Sequence, residues 1–128
     1  ISLGTQEKLS LGNLNARRDW GHAKDYVEAM WMMLQQDTPE DYVCASGVSH
    51  SVRDVCEHVF KQLGMDYKDY VEVDPKFFRP EEVLDLRGDS SKMKREIDWK
   101  PKYNFYTMLD DMIEYELSCY GVDMSQVV

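Results

Sequence analysis

The clearest periodic pattern along the chain lies between Ser51 and Gly64. Apolar side chains recur there three and four positions apart, at Val52, Val55, Cys56, Val59, Phe60 and Leu63. This spacing predicts a helix with one apolar face, because 3.6 residues make one helical turn. Ser51 and Asp54 resemble the capping box that begins many helices, and Gly64 is a typical residue at a helix end.

Three further helices follow from the same periodicity. The first begins near Gly21 and ends before Asp37, and we expect its Met-rich segment, residues 30–33, to fill the core rather than line a groove. A short capped helix is expected over residues 89–97, and a longer one from about Phe105 towards Gly121. The residues after Gly121 are expected to form a disordered tail, 122–128.

Short apolar stretches between these helices predict strands. Leu9 and Leu11 alternate with polar residues, residues 41–46 are typical of a strand buried in a parallel sheet, and residues 70–74 alternate like a half-exposed strand. Prolines at 75 and 80 are expected to hold the intervening segment extended. Helices and strands in alternation indicate the α/β class.

Composition limits both the architecture and the partners. A chain of 128 residues with 43% hydrophobic side chains can bury one modest core, so we expect one domain or a large part of one. Its net charge of −9 argues against binding to nucleic acid or to an anionic membrane. Three widely spaced cysteines, no long apolar run and no signal-peptide pattern favour a soluble cytoplasmic protein.

Residues 17–20, Arg-Arg-Asp-Trp, lie where the chain leaves a predicted strand and enters a helix. Two guanidinium groups at such a junction can hold an anion, helped by the N–H groups of the first helical turn. The alternative is a pair of solvated arginines with Trp20 in the core. Residue types alone leave both interpretations open and favour the second.

Several separate motifs resemble one family. Residues 9–30, with Arg-Asp-Trp-Gly at 18–21 and Asp-Tyr-Val-Glu-Ala at 25–29, are similar to the C-terminal half of GDP-mannose 4,6-dehydratases, which are extended short-chain dehydrogenase/reductase enzymes. The likeness continues through Phe-Arg-Pro-Glu-Glu-Val at 78–83 and Gly-Asp at 88–89. It implies an α/β fold, the substrate-binding part of a Rossmann-like enzyme whose dinucleotide-binding half lies outside this sequence.

The resemblance places a nucleotide site on this chain. Arg18 falls on a phosphate-binding arginine of the family, and Arg79 would contact the diphosphate side of the nucleotide. Glu82 would accept hydrogen bonds from hydroxyls or from the base. These roles suit the chemistry, because arginine forms charge-assisted bonds to phosphate and a carboxylate accepts from neutral donors. The alternative is that Arg79 and Glu82 simply pair with each other across a turn.

Leu11, Gly12 and Asn13 match residues of the family that line the nucleotide. Gly12 would let the backbone approach the ligand closely, because it has no Cβ. The chain departs from the family after Glu82-Val83, where an acidic residue is common and this sequence has leucine. The resemblance leaves open the roles of Arg17, Arg53, Leu84 and Asp85.

Catalytic residues of the family are missing from the sequence. No glycines are close enough to form the turn that binds a dinucleotide, and none of the eight tyrosines is followed by lysine four positions later, as the family's chemistry requires. The adjacent carboxylates and the three histidines suit solvated or structural roles better than acid–base catalysis. We therefore assign no catalytic residue, no cofactor-binding residue and no metal site.

The implied whole enzyme is a lyase that converts GDP-mannose to GDP-4-keto-6-deoxymannose with bound NADP, as a homo-oligomer. This chain would hold GDP-mannose and be inactive alone, as a fragment whose N-terminal half is missing. Residues 21–47 would pack against that half, with the 41–46 strand completing its sheet. The alternatives are a non-catalytic nucleotide-sugar-binding or interaction module, another nucleotide-sugar dehydratase or epimerase, and an acidic α/β protein whose arginines are only surface charge.

Overall fold

The computed structural model describes residues 1–127, and within them helices and short strands alternate. The helices are α1, Ala23–Leu34; α2, Val52–Gln62; α3, Ser91–Ile97; and α4, Phe105–Cys119. The strands are β1, Leu9–Leu11; β2, Arg17–Asp19; β3, Ser49–Ser51; β4, Val71–Val73; and β5, Asp85–Leu86. Short 3-10 helices lie at Tyr67–Asp69, Pro75–Phe77 and Met124–Gln126. The α/β class is confirmed.

The strands form two small sheets. In the first, β1 runs parallel to β4, with Leu9 opposite Val71. In the second, β2 is central: it is antiparallel to β3 and parallel to β5, with Arg18 opposite Leu86. The two sheets therefore bond residues 9–19 to β4 and to β5. The segment between β4 and β5, which carries Arg79 and Glu82, is thereby held beside residues 9–19.

Helix α2 begins as its sequence predicts. The Ser51 hydroxyl oxygen accepts from the Asp54 N–H at 3.1 Å, and the Asp54 carboxylate accepts from the Ser51 N–H at 2.8 Å, which completes the capping box. Asn104 and Thr107 form the equivalent pair at the start of α4. Such reciprocal bonds satisfy N–H groups that have no partner inside the helix.

Three groups of buried side chains hold the elements together. Leu14, Cys56, Phe60 and Tyr67 pack beneath α2; Ala29, Met93, Ile97 and Trp99 join α1 to α3; and Phe105, Met108 and Leu109 anchor α4. Trp99 is 2% exposed, and its indole N–H donates to the Asp25 carbonyl oxygen at 3.2 Å. The buried polar group is therefore satisfied.

The core prediction for residues 30–33 is correct for half of that segment. Met32 and Met33 pack against the group around Ala29, whereas Met30 and Trp31 are 58% and 62% exposed. The reason is the position of each residue around α1, because successive residues are 100° apart and only one side of the helix faces α3. With Val27 and Leu34, which are also exposed, Met30 and Trp31 form one apolar stripe, called the α1 stripe below.

Residues 41–46 lie outside the helices and strands, so the predicted buried strand is not formed within the described residues. Val43 is exposed, and the backbone oxygens of Asp41 and Ala45 accept from the side chains of Lys92 and Ser90. A strand requires a neighbouring strand to bond its backbone, and none of the described residues supplies one here.

The prolines also act differently from the prediction. Pro75 is the first residue of a 3-10 helix, and the Asp74 carboxylate accepts from the Lys76 N–H at 3.0 Å. The fixed φ of proline suits the first turn of a helix as well as it suits an extended chain. Only at Phe78 does the backbone become extended.

The disorder expected for the C-terminal residues 122–128 remains a prediction. Met124–Gln126 form a 3-10 helix, and the last residue of the expected disordered segment, Val128, lies outside the described residues. Among residues 1–127, no helix is both long and apolar enough to cross a bilayer.

Candidate functional site

Strand β1 ends at one wall of a pocket. The Asp74 N–H donates to the Leu11 carbonyl oxygen at 2.8 Å, which holds the end of β1 beside the 3-10 helix at Pro75–Phe77. A Cβ at Gly12 would come within 2.8 Å of the Phe77 carbonyl oxygen. The space that a Cβ at Gly12 would need is therefore taken by Phe77, and the contact between Gly12 and a nucleotide stays a prediction.

Strand β2, which the sequence does not predict, positions Arg18. The Arg18 Nη1 donates to the Val83 carbonyl oxygen and to the Arg17 carbonyl oxygen, both at 2.7 Å. Its Nη2 lies 3.5 Å from Glu82 Oε1. The guanidinium has five N–H groups, so its remaining N–H groups stay available for a ligand while Nη1 is held by backbone.

Glu82 is fixed from two sides. Asn13 Nδ2 donates to Glu82 Oε2 at 2.9 Å, and Arg18 faces the other oxygen. The Glu82 side chain is 17% exposed and that of Arg18 is 28% exposed, so their attraction is less screened than that of a surface pair. Arg79 forms no ion pair or side-chain hydrogen bond with the described residues, and Glu82 pairs with Arg18 rather than with Arg79.

These residues converge on one pocket of about 270 Å³. Its lining contains every residue that the resemblance assigned to the site: Leu11, Gly12, Asn13, Arg18, Arg79 and Glu82. Four further residues complete the wall: Ala16, Trp20, Val52 and Phe77. We call this cavity the arginine pocket. It places two guanidinium groups, one carboxylate and two aromatic rings around a single space.

The arginines at 17 and 53 are occupied elsewhere. Arg17 Nη2 donates to the Ser49 carbonyl oxygen at 2.6 Å, and its guanidinium lies 3.9 Å from Asp54. Arg53 donates to the Tyr67 hydroxyl at 2.9 Å and to Asn15 Oδ1 at 3.0 Å, which joins α2 to the turn after β1. Neither residue lines the arginine pocket. Both contribute to the fold around it.

Leu84 and Asp85, whose roles the sequence left open, lie next to β2. The Leu84 carbonyl oxygen accepts from the Arg17 N–H at 2.9 Å, and Asp85 is the first residue of β5, opposite Arg17. Their side chains are exposed and outside the pocket lining. The departure from the family at these positions therefore affects the edge of the second sheet and not the arginine pocket.

Asp19 is the residue near the site that sequence reasoning missed. Its carboxylate accepts three backbone N–H groups: Ser46 at 2.8 Å, Gly47 at 2.9 Å and Gly88 at 3.2 Å. Burial acts to raise the pKa of this carboxyl, but the hydrogen bonds from Ser46, Gly47 and Gly88 outweigh it, and the pKa is lowered from its ordinary value of 3.8. The available signal was an aspartate between a predicted strand and a predicted helix, directly after Arg18 and directly before Trp20.

A larger cleft of about 420 Å³ lies elsewhere, between residues 46–50 and 101–106. It contains none of the residues assigned to the site. The one lysine in its wall, Lys102, forms an ion pair with Glu28 at 2.7 Å. His50 stacks on Phe105 with ring centroids 3.8 Å apart. The arginine pocket is smaller but is the one with a guanidinium group free of internal partners among residues 1–127.

The arrangement in the arginine pocket suits binding rather than bond making. Two guanidinium groups can neutralise an anion such as a diphosphate, and the fixed carboxylate can accept from hydroxyl or N–H groups. Its lining contains no serine, cysteine, histidine or tyrosine that could act as a nucleophile or proton carrier. Among residues 1–127, no group of carboxylate, histidine and cysteine side chains is arranged to hold a metal ion.

Comparison of the sequence with known proteins shows which family the chain resembles. The model of the family described as GDP-mannose 4,6 dehydratase matches residues 1–112. The chain is 50% identical over 117 residues to GDP-mannose 4,6 dehydratase 1 of Arabidopsis thaliana, covering 91% of this chain and 32% of the relative. It is 45% identical over 134 residues to GDP-mannose 4,6 dehydratase of Homo sapiens, covering 91% and 36%. The chain thus spans about a third of the length of the curated relatives it matches.

A solved structure shows the same fold. The chain superposes on dTDP-glucose 4,6-dehydratase from Bacillus anthracis, determined in complex with NAD, with a TM-score of 0.77 and 26% sequence identity. The match covers 88% of this chain and 35% of that one. The short strands and helices of this chain therefore correspond to about a third of that longer chain.

Proposed function

The chain belongs to the GDP-mannose 4,6 dehydratase family, and we propose that it forms the part of such an enzyme that holds GDP-mannose. The proposed reaction is the conversion of GDP-mannose to GDP-4-keto-6-deoxymannose and water, so the whole enzyme is a lyase. The observation that carries the proposal is the arginine pocket, in which Arg18, Arg79 and Glu82 converge from positions far apart in the sequence.

Each pocket residue has a distinct task in this proposal. Arg18, held by backbone through Nη1, presents Nε and the N–H of Nη2 that does not face Glu82 to the diphosphate. Arg79 adds a second positive charge from the loop between β4 and β5. Glu82, bonded to Asn13 and Arg18, keeps lone pairs available for hydroxyl or N–H groups of the nucleoside. Leu11, Gly12 and Asn13 form the wall beside it.

The proposed cofactor, NADP, is not held by these residues. At Gly12, Gly21 and Gly88 the space of a missing Cβ is filled by the chain itself, through Phe77, Tyr26 and Ala45. The remaining four glycines have no close contact at the Cβ position but stand far apart in the sequence, so they do not form one glycine-rich turn. A dinucleotide needs a glycine turn that is open to the pyrophosphate. The hydride chemistry that NADP supplies therefore belongs to another part of the proposed enzyme, and residues 1–128 are expected to be inactive alone.

We further propose that residues 21–47 contact that other part, a dinucleotide-binding domain. The side chains of the α1 stripe, Val27, Met30, Trp31 and Leu34, are 58–82% exposed. Residues 41–46 have the composition of a buried strand but have no strand partner among the described residues. A row of exposed apolar side chains and a strand-like segment without a partner suit a buried domain interface. The whole enzyme is proposed to be a cytoplasmic homo-oligomer, as the family resemblance implies.

Titration calorimetry of the purified chain with GDP tests the nucleotide site. We expect GDP and GDP-mannose to bind, GMP to bind more weakly because it lacks the second phosphate, and guanosine to bind weakest. Equal affinity for GDP and guanosine would show that the two arginines do not hold the diphosphate. A chimeric enzyme tests the dehydratase activity itself. In it, this chain replaces the C-terminal part of a full-length relative, and the consumption of GDP-mannose is measured.

Two other functions are distinguished by the same measurements. A non-catalytic nucleotide-sugar-binding module would bind GDP-mannose but leave the chimeric enzyme inactive. Another nucleotide-sugar dehydratase or epimerase would prefer a different sugar or base, which competition with UDP-glucose and dTDP-glucose reveals. The 50% identity to a GDP-mannose 4,6 dehydratase supports the first proposal over both.

A further inference from the structure

Asp19 joins three segments that are separate in sequence. It ends β2, and its two carboxylate oxygens accept the N–H groups of Ser46, Gly47 and Gly88 at 2.8–3.2 Å. Ser46 and Gly47 lead into β3 on one side of β2, and Gly88 follows β5 on the other. One side chain therefore fixes both neighbours of the central strand.

The contact with Gly88 is close and specific. A Cβ on Gly88 would lie 2.4 Å from the Cβ of Ala45, so the chain after β5 packs directly on the chain before the Gly47 turn. Strand β5 has only two residues, and a ladder this short gives little resistance to slipping. The bond from Asp19 to the Gly88 N–H supplies the additional constraint.

Arg18 and Glu82 depend on that constraint. The side chains of Arg18 and Asp19 point to opposite faces of β2, because successive residues alternate along a strand. Arg18 lines the arginine pocket and Asp19 does not. A shift of residues 82–88 relative to β2 would move the Val83 carbonyl oxygen and the Glu82 carboxylate away from Arg18, which contacts both.

We propose that Asp19 is a positioning residue for the arginine pocket: by holding Gly88 against β2, it keeps Arg18 and Glu82 in the arrangement that receives a nucleoside diphosphate. This role rests on the proposed function of the pocket. The lowered pKa of Asp19 agrees with it, since a carboxylate that accepts several N–H groups is stabilised in its charged form. The residue acts through its neighbours and does not touch the ligand.

Asparagine is the informative replacement at this position. Asp19→Asn keeps the shape of the side chain, but its amide nitrogen is a donor and cannot accept an N–H from Gly47, Gly88 or Ser46. At least one of the three backbone N–H groups then loses its partner. The matched control is Asp123→Asn, which makes the same change at a carboxylate that accepts the Ser125 N–H and lies outside the arginine pocket.

The first measurement is the affinity of the 128-residue chain for GDP by calorimetry. We expect Asp19→Asn to weaken binding at least about tenfold, in line with the loss of a charge-assisted hydrogen bond, and Asp123→Asn to leave it unchanged. In a chain that already carries Arg18→Ala, Asp19→Asn should weaken GDP binding by less than about threefold, because one of the two residues that Asp19 positions is gone. Equal losses in both backgrounds would overturn the proposal, as would unchanged affinity in Asp19→Asn.

The second measurement does not require a folded variant or a ligand. Amide hydrogen exchange of the wild-type chain should show protection at Ser46, Gly47 and Gly88, although all three lie outside helices and strands. Exchange of the Gly88 amide at the rate of an unstructured peptide would overturn the proposal. If the wild-type chain failed to bind GDP, the proposed function would fail, and Gly88 protection alone would decide whether Asp19 holds the segment.

Discussion

Arg18 and Val83, 65 positions apart in the sequence, are joined by a hydrogen bond of 2.7 Å from Nη1 to the carbonyl oxygen. The same nitrogen donates to the Arg17 carbonyl oxygen. A guanidinium that is oriented by backbone before a ligand arrives loses little conformational freedom on binding, which favours affinity. Arg18 is therefore both a part of the fold and the fixed side of the proposed diphosphate site, whereas the Arg79 side chain has no hydrogen bond or ion pair with the described residues.

This difference predicts separate effects for the two arginines. Arg18→Ala should weaken GDP binding about 10- to 100-fold and also lower the unfolding free energy by about 1–2 kcal/mol, because the bonds to Val83 and Arg17 are lost. Arg79→Ala should weaken GDP binding and leave thermal stability unchanged. Calorimetry and thermal unfolding, with Arg95→Ala as a surface control, check this. Equal stability of Arg18→Ala and wild type would contradict the dual role.

The contact between Gly88 and Ala45 predicts a compensating pair. Gly88→Ala should destabilise the chain by about 1–3 kcal/mol, since the added Cβ overlaps that of Ala45. Adding Ala45→Gly removes the overlap, after which the nearest remaining contact is Val43 Cγ1 at 3.4 Å. The double variant should be more stable than Gly88→Ala alone, although Ala45→Gly by itself is destabilising. Urea unfolding of wild type, both single variants and the double variant measures the coupling between the two positions. Additive changes in unfolding free energy would refute the predicted compensation.

The hydrogen bonds of Asp111 predict that the folded chain loses stability in acid. Hydrogen bonds from Lys24, and then from His22, lower the pKa of Asp111 below its ordinary 3.8, and the Tyr103 ring lies beside Lys24. A depressed folded-state pKa means that ionised Asp111 stabilises the fold above pH 3.8, and that this contribution is lost as pH falls through the lowered value.

Thermal unfolding across pH 2 to 6 measures this contribution. Wild type should be more stable than Asp111→Asn near pH 6, and the difference should vanish at the acid end. Asp37→Asn, at an exposed carboxylate without a hydrogen bond in the described structure, should show no such trend. A difference between wild type and Asp111→Asn that persisted undiminished at pH 2 would contradict the linkage.

The α1 stripe predicts self-association of the isolated chain. Trp31 and Leu34 are 62% and 82% exposed, and burying them is favourable when no other domain covers them. A chain carrying Trp31→Lys and Leu34→Lys should therefore stay monomeric at concentrations where wild type associates. Gln36→Lys, which adds a charge just beyond the C-terminal end of α1 without removing apolar surface, should behave like wild type. Sedimentation equilibrium measures the oligomeric state of each chain. A monomeric wild-type chain with a cooperative thermal melt would count against the proposed domain contact.

Local patterns were enough to locate the four α-helices and the strands β1 and β4. The apolar periodicity from Val52 to Leu63 and the Ser51–Asp54 pair predicted α2 and its cap, and both are confirmed. These features depend on residues three and four positions apart, so a short window of sequence contains them. The family motifs likewise named six residues that the structure brings to one pocket.

Long-range contacts decided what the patterns did not. Residues 41–46 have the composition of a buried strand, but a strand exists only where a partner bonds its backbone, and none of the described residues does so. Met30 and Trp31 have the composition of a core segment, but they lie on the side of α1 that faces away from α3.

The sequence by itself determined the helices, the family and the residue types of the site, because these depend on local spacing and on motifs. The tertiary structure decided which residues cooperate. Glu82 is bonded to Asn13 and Arg18 instead of Arg79, Gly12 accommodates Phe77, and Asp19 holds Gly88. Each of these contacts joins residues at least 60 positions apart, and only the folded chain fixes the distances between them.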